Sequence, residues 1–252
     1  MEGESTPEDL GVGRIDFHPD EKSPAEKSAQ KLEEERGGEL HERTGYHLGR
    51  SGQSERQSPE TGFKKVEYAT FDLSQLFEEN ADLSQIKEYA QKAEEFAKEK
   101  EIEITGRAPV WLYMIAAHAM HGVCKELVFN DGRGNRVQIF DHHTEPVKRD
   151  EDIILAPKIK MERKPENKRG EETEIDVEEI YTKYGDAASL KELPQYLRDI
   201  KMQAGYGSNV TLTGRGPIWL YLLAQHELHG SINALKYDSP MTGEVGIYNR
   251  NK

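Results

Sequence analysis

Cysteine is almost missing from this chain. Cys124 is the only one in 252 residues, which excludes an intramolecular disulfide and fits a reducing compartment. Basic charge is in deficit, with Lys+Arg 34 against Asp+Glu 47 and a formal net charge of -13. That balance excludes a general DNA- or RNA-coating role, which calls for a net basic surface. It leaves room for one local basic pocket. Long apolar runs are lacking too, since none approaches the roughly 20 residues of a membrane-spanning helix. The opening MEGESTPEDL has neither the basic nor the apolar region of a signal peptide. Together these features predict a cytoplasmic protein with no membrane partner.

Charge and apolar content divide the chain into blocks. Residues 1–62 form an acidic arm, with 15 acidic against 8 basic residues in its first sixty. Its large apolar residues are scattered singly (Leu10, Ile15, Phe17, Leu32), too few to offset the entropy of ordering. The arm is predicted to stay disordered or to order on a protein partner, with one exposed helix over PAEKSAQKLEEER. Residues 63–157 read as a domain: a strand in KKVEYATF, a surface helix in SQIKEYAQKAEEFAKEKE, a strand EIEIT, a buried helix PVWLYMIAAHAM, then KELVFN and RVQIFDH around the turn DGRGN, and a last strand in EDIILAP. Residues 158–173 are a charged linker. Residues 174–252 repeat the order: a strand EIDVEEIYTKY, a helix SLKELPQYLRDIKMQ with Pro194 in its first turns, a strand NVTLT, a second apolar helix, and the strand pair ALKYD and GEVGIY.

The repeat is plainest in one phrase. TGRAPVWLYMIAAHAMHG at 105–122 and TGRGPIWLYLLAQHELHG at 213–230 match at 11 of 18 positions. The predicted fold class is therefore α/β: two similar small units, each a mixed sheet with packed helices, paired as an intrachain pseudo-dimer.

The phrase invites two readings of each part. Gly106 and Gly214 permit a turn closed to other residues, and Pro109 and Pro217 suit the first helical position. A helix start with free N–H groups beside Arg107 or Arg215 can hold a phosphate. Equally, an ordinary strand–turn–helix needs the same residues. Tyr113 and Tyr221 can stack on a nucleobase or pack in the core. His118 and His121, like His226 and His229, are three apart on one helix face. In the last turn, the partly negative helix end favours the protonated imidazole. That suits a general acid, a phosphate contact or a mere cap. The i, i+3 spacing is not that of a zinc protease, and the single cysteine argues against a structural zinc site.

After the phrase the halves diverge. The first continues FNDGRGNRVQIFDHH, with Asp131, Arg133, Asp141, His142 and His143; the second continues YDSPMTGEVGIYNRN. Asp238 matches Asp131, but Pro240 or Met241 stands at Arg133, and Asn249 and Arg250 stand at Asp141 and His142. A carboxylate–Arg–His set is intact only in the first half. DGRGN is also simply a good hairpin turn.

The phrase TGRGPIWLY, the HELHG helix end, the strand ending in Tyr-Asp and the short strand after it resemble the small CRISPR-associated ring nucleases of the Csx-three type. The resemblance covers about 90 residues of the first half and about 75 of the second. It implies a compact α/β fold that dimerises. It further implies binding of cyclic oligoadenylate, above all cyclic tetra-adenylate, and its manganese-assisted linearisation, which switches off type III CRISPR signalling in antiviral defence. Such dimers can sandwich the ring, so self-association is expected. By the same resemblance the catalytic residues fall on His121, Asp131, Arg133 and His142, with Asp131 a candidate metal ligand. Gly106, Arg107, Tyr113, His118, Gly214, Arg215, Tyr221, His226 and His229 are expected to line the ligand. The chemistry is coherent: an arginine can stabilise charge at phosphorus and a histidine can supply the proton to the leaving oxygen. Two other classes compete with this enzyme. One is a non-catalytic sensor, sponge or docking subunit of a defence complex; the other is an exonuclease-like activity on adenylate ends.

Overall fold

The computed structural model describes residues 64–250. The acidic arm, its predicted helix and any partner-binding role lie outside the described residues.

The first half runs β1 (Tyr68–Asp72), α1 (Ile86–Ala97), β2 (Glu101–Thr105), α2 (Val110–Met120), β3 (Glu126–Asn130), β4 (Arg136–Asp141) and the two-residue β5 (Ile153–Ile154). The second runs β6 (Glu172–Asp176), α3 (Val177–Thr182), α4 (Leu193–Ala204), β7 (Asn209–Thr213), α5 (Ile218–Leu228), β8 (Ala234–Ser239) and β9 (Gly243–Asn249). Each half is one mixed sheet with its strands in chain order, five in the first and four in the second. The first three strands of each are parallel, and the next pairs antiparallel with the third. Even the irregularity is shared: both antiparallel pairs shift register, at Leu127/Val128 and at Leu235/Lys236. The chain is thus two similar α/β units, as the repeated pattern predicts.

Alternation in β2 buries Ile102 and Ile104 and turns Glu101 and Glu103 to the other face. On the apolar face lie α1, through Tyr89, Ala93 and Ala97, and then α2. Helices α2 and α5 bury eight residues each. A helix apolar all round needs cover on every side, and here α2 and α5 cover each other. Gln225 Nε2 donates to the Met114 carbonyl at 3.0 Å across this buried contact. The crossing is reciprocal: α2 also meets β9 of the other half, and α5 meets β4.

Three expectations are corrected. EIDVEEIYTKY is not one strand. β6 stops at Asp176, whose Oδ1 accepts from the N–H groups of Glu178 (2.7 Å) and Glu179 (3.2 Å) and so caps α3. Pro109 and Pro217 are not the first helical residues; each is the extended residue just before the helix. Pro194 does sit at the helix start as expected. The last strand of the first half is also shorter than EDIILAP, reduced to Ile153–Ile154. The charged connector is pinned to the second half near its end, where Lys168 N–H donates to the Tyr206 carbonyl and Gly170 N–H to that of Gly207.

Candidate functional site

The repeated phrase spans the length of each unit, so its two ends lie at opposite ends of the molecule. At its start, Gly106 and Gly214 have φ of +108° and +84°, a region that favours glycine. A Cβ would stand 2.1 Å from Asp72 Oδ1 at Gly106 and 2.0 Å from Asp176 Oδ1 at Gly214. These glycines therefore serve the close approach of the capping turns after β1 and β6. Each glycine carbonyl accepts from a tyrosine of the following helix, Tyr113 at 2.5 Å and Tyr221 at 2.7 Å. Both tyrosines are buried and packed edge-on against Phe129 and Tyr237. Stacking on a nucleobase is closed to them. Glycine and tyrosine recur in both halves because they bond to each other. Arg107 and Arg215 remain exposed and form no ion pair among the described residues.

The turn 131–135 belongs to this same end. Burial opposes ionisation of Asp131, but donors outweigh it: Oδ2 accepts from Asn135 Nδ2 at 2.6 Å, and Oδ1 from the N–H groups of Arg133 (2.7 Å) and Asn135 (3.0 Å). Its pKa falls below the usual carboxylate range. Its carboxylate is engaged by the hairpin, and it is not part of the group of three ligand-type residues found among the described residues. Arg133 is exposed at the tip. A cleft of about 580 Å³, lined by Arg107, Pro109 and Trp111 and by Tyr237, Pro240 and Met241, crosses from one half to the other here.

The histidines occupy the far end. His121 and His229 cap α2 and α5, and glycines of positive φ, Gly122 and Gly230, follow them. The contact between α2 and α5 brings their C-terminal ends, and so both histidine pairs, together. The His121 ring centroid is 4.5 Å from that of His229 and 5.5 Å from that of His226, and His118 lies 5.7 Å from His229. His142, just past β4, joins at 5.0 Å from His121. Each pair packs on an aromatic residue of the other half: His118 stacks on Tyr248 at 4.9 Å, and His226 meets Phe140 at 5.5 Å. The space enclosed is only about 10 Å³, room for about one water. His121 and His229 are half-buried at its edge, and His142 and Arg250 beside them are exposed.

These histidines are not held protonated, contrary to the helix-end expectation. Burial lowers the pKa of all four helix histidines. His121 falls to about 4 through burial and then the nearby His229, His226, His142 and His118. Arg250 adds to the lowering at His229. Desolvation with like neighbours outweighs the half-charge of a helix end. Burial thus biases the four helix histidines toward the neutral form, suited to accept a proton or a hydrogen bond.

The residues matched to catalysis are thus divided. His121 and His142 meet, whereas Asp131 and Arg133 stand at the opposite end of the β3–β4 hairpin, roughly 17 Å away at about 3.3 Å per residue. The contact made by Arg250 and a second cluster were not legible in the sequence. Arg250 occupies the place of His142 in the second half and donates to the Gly230 carbonyl at 2.8 Å. On the outer face of the first sheet, Glu126, Asp141 and His143 bring ligand-type atoms within 4.8 Å of one another. His143 was visible only as the second histidine of a His-His pair.

Residues 183–252 match the family model described as CRISPR-associated protein (Cas_csx3). The match covers α4, β7, α5, β8 and β9, so the second half carries a CRISPR-associated signature, with His226 and His229 inside it. Comparison with curated proteins and comparison with solved structures each gave no match. Among the described residues, no helix is long and apolar enough to cross a membrane.

Proposed function

We propose that this protein binds a cyclic oligoadenylate, with cyclic tetra-adenylate the best fit, and linearises it to end a CRISPR signal. One observation carries the reading: five histidines gather around the contact between α2 and α5, in a chain whose second half matches Cas_csx3. A ring of two-fold symmetry suits a site with two-fold pseudosymmetry. Neutral imidazoles suit abstraction of a ribose 2′-hydroxyl proton. The 2′-oxygen then bonds to phosphorus, the bond to the 5′-oxygen breaks, and the proton returns to that leaving oxygen. The product is a linear chain with a 2′,3′-cyclic phosphate.

The division of the site supports self-association. A ring touching His121, His142 and Arg250 of one copy also reaches Arg107, Arg133 and Arg215 only if a second copy supplies them. No step is assigned to a metal at Asp131, whose carboxylate is occupied.

A second reading, a sensor or sponge that binds without cutting, is favoured by one fact: the second half has Pro240 and Met241 where the first has Arg133. Incubating the protein with cyclic tetra-adenylate and Mn²⁺ and following linear products separates the two. Multiple turnovers are expected. Tight binding without product sinks the enzyme and supports the sensor, and no binding sinks both.

A further inference from the structure

The outer face of the first sheet carries charge that the second sheet lacks. Glu101, Glu126 and Asp141 lie in register on β2, β3 and β4. Like charges directly opposite across strands repel. The equivalent row of the second sheet is Asn209, Ala234 and Asn249, with no carboxylate in it. The row also does not descend from the repeated phrase, and nothing in the proposed reaction uses it.

We infer that Glu126, Asp141 and His143 bind one divalent transition-metal ion in the first half of the molecule. His143 Nδ1 lies 2.8 Å from Asp141 Oδ1 and 3.7 Å from Glu126 Oε2. Separations of this size fit ligands of one ion at about 2.1 Å from each. Glu126 is fully buried, and its Oε2 has no hydrogen-bond partner. The Tyr68 hydroxyl and His143 Nδ1 (3.7 Å) are its neighbours, neither making a hydrogen bond of good geometry, and a buried carboxylate oxygen so weakly satisfied is costly.

Every ligand has a support on its outer side. Glu126 Oε1 accepts from Gln138 Nε2 at 2.5 Å and from Arg149 Nε at 2.6 Å. Asp141 Oδ2 accepts from Arg149 Nη2. His143 Nε2 faces Glu101 Oε1 at 3.2 Å. Ligating histidines commonly donate their second N–H to a carboxylate in this way, which fixes the tautomer that offers the other nitrogen. Arg149 thus anchors the outer oxygens and leaves Glu126 Oε2 and Asp141 Oδ1 turned toward His143, with Oδ1 also accepting from the His143 backbone N–H at 2.8 Å. It neutralises one of three carboxylates; the lysines near Glu101, Lys64 and Lys125, line the rim. The ion replaces the Nδ1 proton that otherwise bridges to Asp141. Two carboxylate oxygens and one imidazole suit a first-row ion such as Mn²⁺ or Zn²⁺. Access is by a cleft of about 540 Å³ lined by Glu101, His142, His143, Lys64 and Lys125.

The inference does not depend on the ligand proposed above. It does bear on that site: two of the three ligands flank His142, so a bound ion fixes the backbone from which His142 reaches His121.

The test uses the full chain, stripped with a chelator and titrated with Mn²⁺ under electron paramagnetic resonance and with Zn²⁺ by calorimetry. One ion per chain is expected. His143→Ala and Glu126→Gln should abolish saturable binding, and Glu101→Gln should weaken it by roughly 10–100-fold. Asp131→Asn should change nothing. Circular dichroism of each metal-free variant checks the fold, and His143→Ala, near the rim, keeps the test valid if Glu126→Gln fails to fold. No saturable binding by the wild-type protein, or binding untouched by His143→Ala, overturns the site.

Discussion

The two halves agree where the chain must fold and differ where a charge is placed. Both use a glycine under an aspartate-capped turn, a tyrosine tied to that glycine, an apolar helix and a terminal histidine pair. They part at three places: Arg133 against Pro240 and Met241, His142 against Arg250, and the acidic row of the first sheet against Asn209, Ala234 and Asn249. Likeness between halves is therefore a guide to architecture, and unlikeness is the better guide to chemistry.

The strongest way to break the comparison is at its shared glycines. Gly106→Ala and Gly214→Ala should each cost about 3 kcal/mol or prevent folding, because positive φ and collision with an aspartate coincide. Urea unfolding reads both. If one is tolerated, the halves are not built alike.

The next largest effect concerns turnover. If the ring-nuclease reading holds, His121→Ala should lower product formation by roughly 100-fold, the usual scale of losing an acid–base group. His229→Ala, whose neighbour is Arg250 and not a fifth histidine, should lose much less. Equal losses would place the chemistry in both halves.

Acid should act on the cluster as a whole. The helix histidines have folded-state pKa values below the ordinary 6.5, with His121 at about 4. Between those values the unfolded chain binds more protons than the folded one, so stability falls as pH drops from about 6.5 toward 4. A melting curve at each pH should show this decline, and His121→Gln should shallow it. A flat profile would mean the imidazoles are already solvated. Bound phosphate reverses the preference for neutrality, so cyclic tetra-adenylate should bind more tightly at pH 6 than at pH 8 in fluorescence titrations.

The smallest effect sharpens the shared frame. Tyr113→Phe and Tyr221→Phe each remove one hydrogen bond to a glycine carbonyl and should cost about 1 kcal/mol. A difference between them beyond that figure would expose unequal turns.

Periodicity made most elements legible. EIEIT, NVTLT, the two apolar helices and both antiparallel pairs are where their patterns put them, since buried alternation and all-round apolarity leave few alternatives. EIDVEEIYTKY misled because its apolar spacing was read without its cap: Asp176 followed by two glutamates is a helix start. The histidine cluster was half legible. Spacing put each pair on one face, but only the crossed packing of α2 and α5 brought the pairs together, and their neutrality followed from that burial. The acidic row was hidden altogether, because Glu101, Glu126 and Asp141 are far apart in sequence and become neighbours only through strand register.

One consequence follows from Arg250 standing opposite His142. In a dimer of identical subunits a symmetric ring meets two equal scissors and can be cut on both sides while bound. Here the halves belong to one chain and the two sides differ, so, if the proposed cleavage holds, the ring has one productive orientation relative to His142. The first product to accumulate should be the full-length opened chain, with halves of the ring appearing only after release and rebinding.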